Sequence, residues 1–195
     1  MIKPRIITTI LLTGGLLFAS GCTNKEQQNQ ATTNNNQPVA QSSPTSSDTP
    51  NASASDQQFV TKAAQSSIAE VEIGKLAEQK ATNEQVKQFA QRMVQDHTKA
   101  NTELQQLAQT RNITIPSDMG DKYRAEFNNL SGLSGTEFDK AYMARMVEAH
   151  QEDIALFERQ VQQGQEPNIK SWAANTLSTL QEYQKLATSL ESSVK

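Results

Sequence analysis

Between Val86 and Leu107, the residues Val86, Ala90, Met93, His97, Ala100, Leu104 and Leu107 alternate four and three positions apart. That spacing holds one stripe on one side of an α-helix and calls for apolar partners along its whole length. A single helix cannot cover its own seam, so the pattern requires further helices packed against it. The stripe also carries an imidazole. His97 ends the phrase Arg92-Met93-Val94-Gln95-Asp96-His97, and the phrase returns as Arg145-Met146-Val147-Glu148-Ala149-His150. These are the 2 histidines of the chain. Laying one phrase over the other gives a matching second seam of Asp139, Met143, Met146, His150, Asp153 and Phe157.

Two more helices complete the set. The first predicted helix runs from about Asp56 to Lys80, with Phe59, Val60, Ala63, Ala64, Val71 and Gly74 on its apolar arc and Glu70 within that arc. The second opens on the capping pattern Thr82-Asn83-Glu84-Gln85. The third opens on Thr136-Glu137-Phe138-Asp139 and ends near Gly164. The fourth starts near Pro167, a residue suited to a first helical turn, with the seam Ile169, Ala173, Thr176, Leu180, Tyr183, Ala187 and Leu190. The segment from about Asn112 to Ser134 is longer than an ordinary bundle turn, with room for a short helical piece around Lys122 to Asn128. Such a connection returns the chain to the end it started from and makes the second and third helices parallel. The expected fold class is therefore all-α: a four-helix bundle, ferritin-like, with a long connection between helices two and three, over residues 57–192.

The N-terminal residues read differently. Lys3 and Arg5 precede a mostly apolar run from Ile6 to Phe18, followed by Ala19-Ser20-Gly21-Cys22. This is the layout of an export signal of the lipoprotein type over residues 1–22, with Cys22 as the lipidated mature N-terminus. Thr23 rather than Asp follows Cys22, which by resemblance to Gram-negative lipoproteins favours the outer membrane, facing the periplasm. Residues 23–56 are Gln, Asn, Ser, Thr and Pro with Val39 as the one large aliphatic, a composition that cannot offset ordering entropy. The segment reads as a disordered tether spanning roughly 30–35 Å. The net charge of −3, without a basic run, excludes a nucleic-acid partner. The partners implied are a membrane, through Cys22, and an envelope protein. One cysteine excludes internal disulfides and multi-cysteine metal centres.

Several phrases, in this order and spacing, resemble one family. They are Phe59-Val60 with Ala63-Ala64, Glu70-Val71-Glu72-Ile73-Gly74-Lys75-Leu76-Ala77, Asp96-His97-Thr98, Phe138-Asp139-Lys140-Ala141-Tyr142, and Met146-Val147-Glu148-Ala149-His150. The chain is similar to the bacterial exported ferritin-like proteins known as a domain of unknown function, over about residues 57–191. The resemblance implies an exported or envelope-anchored helical bundle without an assigned activity. Members often carry a further His in the last helix after Leu-x-x; here the sequence is Leu180-Gln181-Glu182-Tyr183.

If helices two and three are parallel, His97 and His150 reach one depth, and Glu70 and Tyr183 on the antiparallel helices fall within about a turn of it. Asp153 follows His150 by one turn on the same face. His97, His150, Glu70, Asp153 and Tyr183 are thus the candidate site, open to two uses. They could satisfy one another as a buried network that fixes helix register. Alternatively, the two histidines with Glu70 or Asp153 could hold a single transition metal, zinc, iron, copper or manganese, although none is required. Di-iron chemistry is disfavoured, because Glu-x-x-His is absent and its nearest equivalent, His150-Gln151-Glu152-Asp153, runs in reverse. Met93 and Met146, one turn before each His, could serve copper but read more simply as packing. No Gly-x-Ser-x-Gly, Cys-His pair or P-loop is present, so no catalytic residue is assigned and an enzyme is not the expectation. A lipid-anchored structural, interaction or stress-related module is the first functional expectation, and a metal-binding or redox protein the alternative.

Overall fold

The computed structural model describes residues 52–194. The signal segment, Cys22 and the tether through residue 51 lie outside the described residues. The described chain is all-helical, with α1 Ala54–Lys80, α2 Glu84–Gln109, α3 Gly120–Ser131, α4 Gly135–Gln163 and α5 Pro167–Ser193. The predicted third and fourth helices are α4 and α5, and α3 is the short piece inside the long connection. No described helix is long and apolar enough to cross a membrane.

Local chemistry accounts for the boundaries and corrects several expectations. α1 starts two residues before Asp56 because Ser53 supplies the cap, its side chain accepting from the Asp56 N–H. What looked like the end of the tether is thus the start of the domain. α2 is capped by Asn83, which accepts from Gln85 and Val86, and not by a Thr82 capping box. Thr82 instead donates its hydroxyl and its N–H to Asp139 of α4. α4 opens after Ser134 without a side-chain cap, through Gly135 at φ 62°, so its Thr136 pattern is not used as a cap. α5 begins at Pro167, with Glu166 accepting from the Ile169 N–H.

Apolar side chains gather in two clusters. One holds Ile73 and Ala77 of α1, Phe89 and Met93 of α2, Tyr142 and Met146 of α4, and Tyr183 and Ala187 of α5. The other holds Phe59 and Ala63 of α1, Leu104 of α2, Phe157 of α4, and Ile169 and Leu180 of α5. α2 and α4 therefore both run from the first cluster to the second, while α1 and α5 run the other way. The long connection does what its length required, and both repeated phrases perform the same task at the same level. α1 comes close to α2 at Gly74, where a Cβ would stand 2.7 Å from Val94 Cγ2. A mid-helix glycine costs about 1 kcal/mol relative to Ala, and here it is what permits the approach. α3 is strapped across α1 and α4: Lys80 donates to the Ser131 and Leu133 carbonyls, Arg145 pairs with Glu126 at 2.7 Å, and Lys122 pairs with Glu152 at 2.7 Å.

Each hairpin turn is held by a buried aspartate from the other hairpin. Asp139 accepts from the N–H groups of Thr82 and Asn83 at 3.0 and 2.9 Å. Asp56 accepts from those of Gln165 and Glu166 at 3.2 and 3.1 Å, and from Gln160 Nε2 at 2.6 Å. Burial pushes the Asp56 carboxyl up, but the donors Ser53, Gln160, Gln165 and Glu166 outweigh it and hold the pKa below 3.8. Charged hydrogen bonds of this kind contribute about 1.5–3 kcal/mol each. Asp56→Ala and Asp139→Ala should each lower the urea-unfolding free energy by at least that amount. Since about 30 Å of α4 separates them, the losses should add to within about 0.5 kcal/mol. Folded Asp56 takes up its proton less readily than unfolded Asp56, so its contribution is complete above about pH 4 and declines as pH falls through the folded value. Asp56→Ala should accordingly flatten the acid limb of the stability curve.

Candidate functional site

Between the two apolar clusters lies a polar layer. In α1 it falls between Ala64 and Ile73, at Ser66, Ser67 and Glu70; in α2 between Met93 and Leu104, at His97; in α4 between Ala149 and Phe157, at His150 and Asp153. Glu70, His97 and His150 are all buried, and each offers one ligand-type atom, these atoms lying within 4.8 Å of one another. Of the five residues singled out in the sequence, these three converge. The other two are nearby in different roles.

Glu70 Oε2 stands 2.8 Å from His97 Nδ1, and Oε1 stands 3.9 Å from His150 Nδ1. The first distance is that of a close acid–base contact, which lowers the Glu70 carboxyl and raises the His97 imidazole, while Glu70 Oε1 has no hydrogen-bond partner. His150 uses Nδ1–H to donate to the Met146 carbonyl at 2.8 Å. That bond fixes the tautomer, leaving the lone pair of the neutral ring on Nε2, which is buried without a partner. An isolated buried carboxylate costs several kcal/mol, a large share of the roughly 5–15 kcal/mol that stabilises a domain. This cluster is therefore rich in acceptors and short of donors.

The titration shifts follow the geometry. Burial pushes the Glu70 carboxyl up, yet the charge and proximity of His97, then His150 and Arg145, hold it below the ordinary glutamate range. Burial pushes His97 down, while Glu70 and then Asp153 and Asp96 raise it overall. His150 is lowered by burial and by His97, with Glu70 only partly opposing. Asp153 is pushed up to about 8 by burial and by the Glu70 charge, against the Ser66 hydrogen bond and His97. At neutral pH the layer holds an ionised Glu70, a readily protonated His97, a neutral His150 and a protonated Asp153.

Asp153 is thus beside the cluster as a neutral acid, accepting from Ser66 Oγ at 2.9 Å. Tyr183 corrects the expectation that placed its phenol among the polar groups. Its ring stacks on His150 at 5.5 Å, but its hydroxyl turns away and donates to Asp96 at 2.6 Å. The reason is that Asp96, half-exposed and off the α2 stripe, remains a hydrated charged acceptor, while Arg92 covers the ring at 5.3 Å. Met93 and Met146 are packing residues of the first apolar cluster. Sequence reasoning missed Ser66, Ser67 and Tyr142. The two serines stand between Ala64 and Glu70 on the buried arc of α1, which was the available signal. The Tyr142 hydroxyl is buried without a partner, and its pKa is driven far up by burial, then by Glu70 and Tyr183.

The fold is similar to that of a crystallised DUF305 fragment from Deinococcus radiodurans, with a TM-score of 0.66 at 13% identity, covering 73% of this chain and 99% of that one. It is also similar to a DUF305 protein from Streptomyces coelicolor inferred to be secreted, with a TM-score of 0.62 at 16% identity, covering 72% and 93%. At such identities the likeness is one of fold. A search of curated proteins finds no match. Residues 41–190 match the domain of unknown function DUF4142, and these include every residue of the polar layer, so the chain belongs to the DUF4142 family.

Proposed function

We propose that this protein is an exported envelope protein, anchored to a membrane through lipidated Cys22, whose ferritin-like four-helix bundle holds a single divalent transition metal between Glu70, His97 and His150. The observation that carries the metal is convergence: Glu70, His97 and His150 are buried with one ligand-type atom each within 4.8 Å of the others, and His150 Nε2 has no hydrogen-bond partner. Two imidazoles and one carboxylate suit zinc, copper, iron or manganese. The His150 Nδ1–H bond to Met146 is the outer contact that aims a ligating imidazole through its other nitrogen. Bound there, such an ion supplies Lewis acidity or, for the redox metals, one-electron chemistry. Export is supported by the leader sequence and by the neighbour inferred to be secreted. Thr23 after Cys22 favours the outer membrane, and the Gln/Asn/Ser/Thr/Pro segment supplies reach to an envelope partner.

A second reading has its own support. The close Glu70–His97 pair, with one group lowered and the other raised, forms a self-contained ion pair that fixes the register of α1 on α2. The protein is then a non-catalytic structural, interaction or stress-related module. Metal analysis separates the two. The purified full chain should take up about one equivalent of at least one of zinc, copper, iron and manganese, and gain about 2.7 kcal/mol at a hundredfold excess over Kd. His97→Ala and His150→Ala should each weaken uptake by about 100-fold or more, since even outer-sphere changes cost 10–100-fold. A chain that stays metal-free and gains no thermal stability from any of the four ions leaves only the register reading.

Ligation and protonation compete at His97. Its pKa is raised above 6.5, so affinity should keep climbing as pH rises through 6.5 and beyond, with one proton released per ion. Calorimetry in buffers of different ionisation enthalpy measures that proton. An affinity independent of pH between 6 and 8 would remove His97 from the ligand set.

A further inference from the structure

On the metal reading of Glu70, His97 and His150, on which this inference rests, an ion must reach a layer enclosed by four long helices. A partly open cavity of about 40 Å³ touches that layer at Ser67, Glu70, His97 and Asp153. One water needs about 10–15 Å³ on that measure, so about three water-sized bodies fit inside. Trp172 lines the cavity too, and its indole N–H is buried without a hydrogen-bond partner, as is Glu70 Oε1. A second hollow, of about 420 Å³ under α3, meets the layer at Asp153 alone.

Charge separates the two. The cavity is walled by the carboxyl groups of Glu70, Asp96 and Asp153 and by no Lys or Arg. It shares Asp96, Ala100, Trp172, Thr176 and Thr179 with an outer groove of about 290 Å³ between α2 and α5. In that groove Arg92 and Lys99 face Asp96, Glu103 and Glu182, so acids outnumber bases. Under α3 the balance is reversed: Lys62, Lys122 and Arg159 stand against Asp121 and Glu152, with Asp153 a neutral acid. Low-dielectric walls of one sign concentrate ions of the other sign. Asp96 is the acid common to groove and cavity, and it is half-exposed. The Tyr183 hydroxyl and Arg92 both approach its Oδ2, at 2.6 and 3.6 Å, so neither takes Oδ1.

We propose that the divalent ion enters and leaves the layer from the α2–α5 side, through this acidic cavity, with Asp96 as the carboxylate that draws it in from the groove. Copper(II) is the probe, since of the four candidate ions it binds a nitrogen and oxygen site most tightly. Trp172 is the reporter, being the 1 tryptophan of the chain and lining both cavity and groove. The full chain is mixed with copper(II) in a stopped-flow instrument, capture is read by Trp172 quenching, and release is read by recovery in excess chelator. Asp96→Asn, which keeps an acceptor for Tyr183, should slow capture about tenfold, the low end of what a local field does to an on-rate. Release should slow alongside, leaving Kd within roughly threefold, because a residue on the route acts on both directions. Arg92→Gln should speed capture, an opposite sign that misfolding does not produce. Lys62→Gln with Arg159→Gln should leave it unchanged. Unaltered capture in both Asp96→Asn and Arg92→Gln, or faster capture in the Lys62 and Arg159 variant, overturns the route and leaves the metal site standing. Faster release from Asp96→Asn also overturns it, by making Asp96 part of the bound site. A wild-type chain that takes up no copper overturns the metal reading itself, and the route with it.

Discussion

A carboxylate in the middle of a helical core is the constraint on which the rest of this structure turns. Glu70 lies where all four long helices bury their apolar stripes, and a charge there is tolerated only beside compensating groups. Compensation comes from α2 and α4 together, so those helices must deliver His97 and His150 to one level. In this fold α2 and α4 run the same way, joined by a connection long enough to cross the length of the domain, and both repeated phrases fall at that level. α3 and its straps through Lys80, Lys122 and Arg145 make that crossing a packed element. Gly74, one turn after Glu70, lets α1 close on α2 so that the carboxylate and the imidazole meet. Each of these features is costly or needless alone and intelligible once the charge is placed.

Much of this was legible in the residues. The four-three seams gave three of the long helices and the apolar arc from Phe59 to Gly74 gave the first, because periodic burial is a property of one helix and its face. The doubled phrase gave the two imidazoles on buried stripes, and the long segment before Ser134 gave the parallel pair. What was not legible depended on directions that spacing does not encode. Tyr183 has the right depth, but its ring lies on His150 while its hydroxyl follows the nearest hydrated acceptor, Asp96. Thr82 has the sequence of a helix cap, but Asp139, distant in the chain, takes its donors and leaves the cap to Asn83. Such a choice between a local and a remote partner is settled by tertiary packing.

The two aspartate clamps expose an order that the doubled phrase concealed. Asp56 and Asp139 stand at the same offset as Thr82 and Gln165, and as Asn83 and Glu166, and each aspartate grips the turn of the opposite hairpin. The α1–α2 and α4–α5 hairpins are therefore equivalent halves, whereas the repeated phrase relates helices that merely run in parallel. Under this equivalence Glu70 corresponds to Asp153, so the core holds one buried carboxyl per half. Their electrical states are nevertheless opposite: Glu70 is held ionised and Asp153 is pushed up to about 8. The difference lies in the residue each meets across its own hairpin. Glu70 meets His97, while the position equivalent to His97 in α5 is Leu180, which offers no charge. One half has kept an acid–base pair and the other an acid alone, and the first charge itself raises the second carboxyl. Burying both as anions would set two like charges into one low-dielectric layer, so ionising Glu70 and protonating Asp153 is the state this core can hold. That asymmetry leaves the layer with one ionised carboxylate, Glu70, beside two imidazoles, and one neutral carboxyl, Asp153.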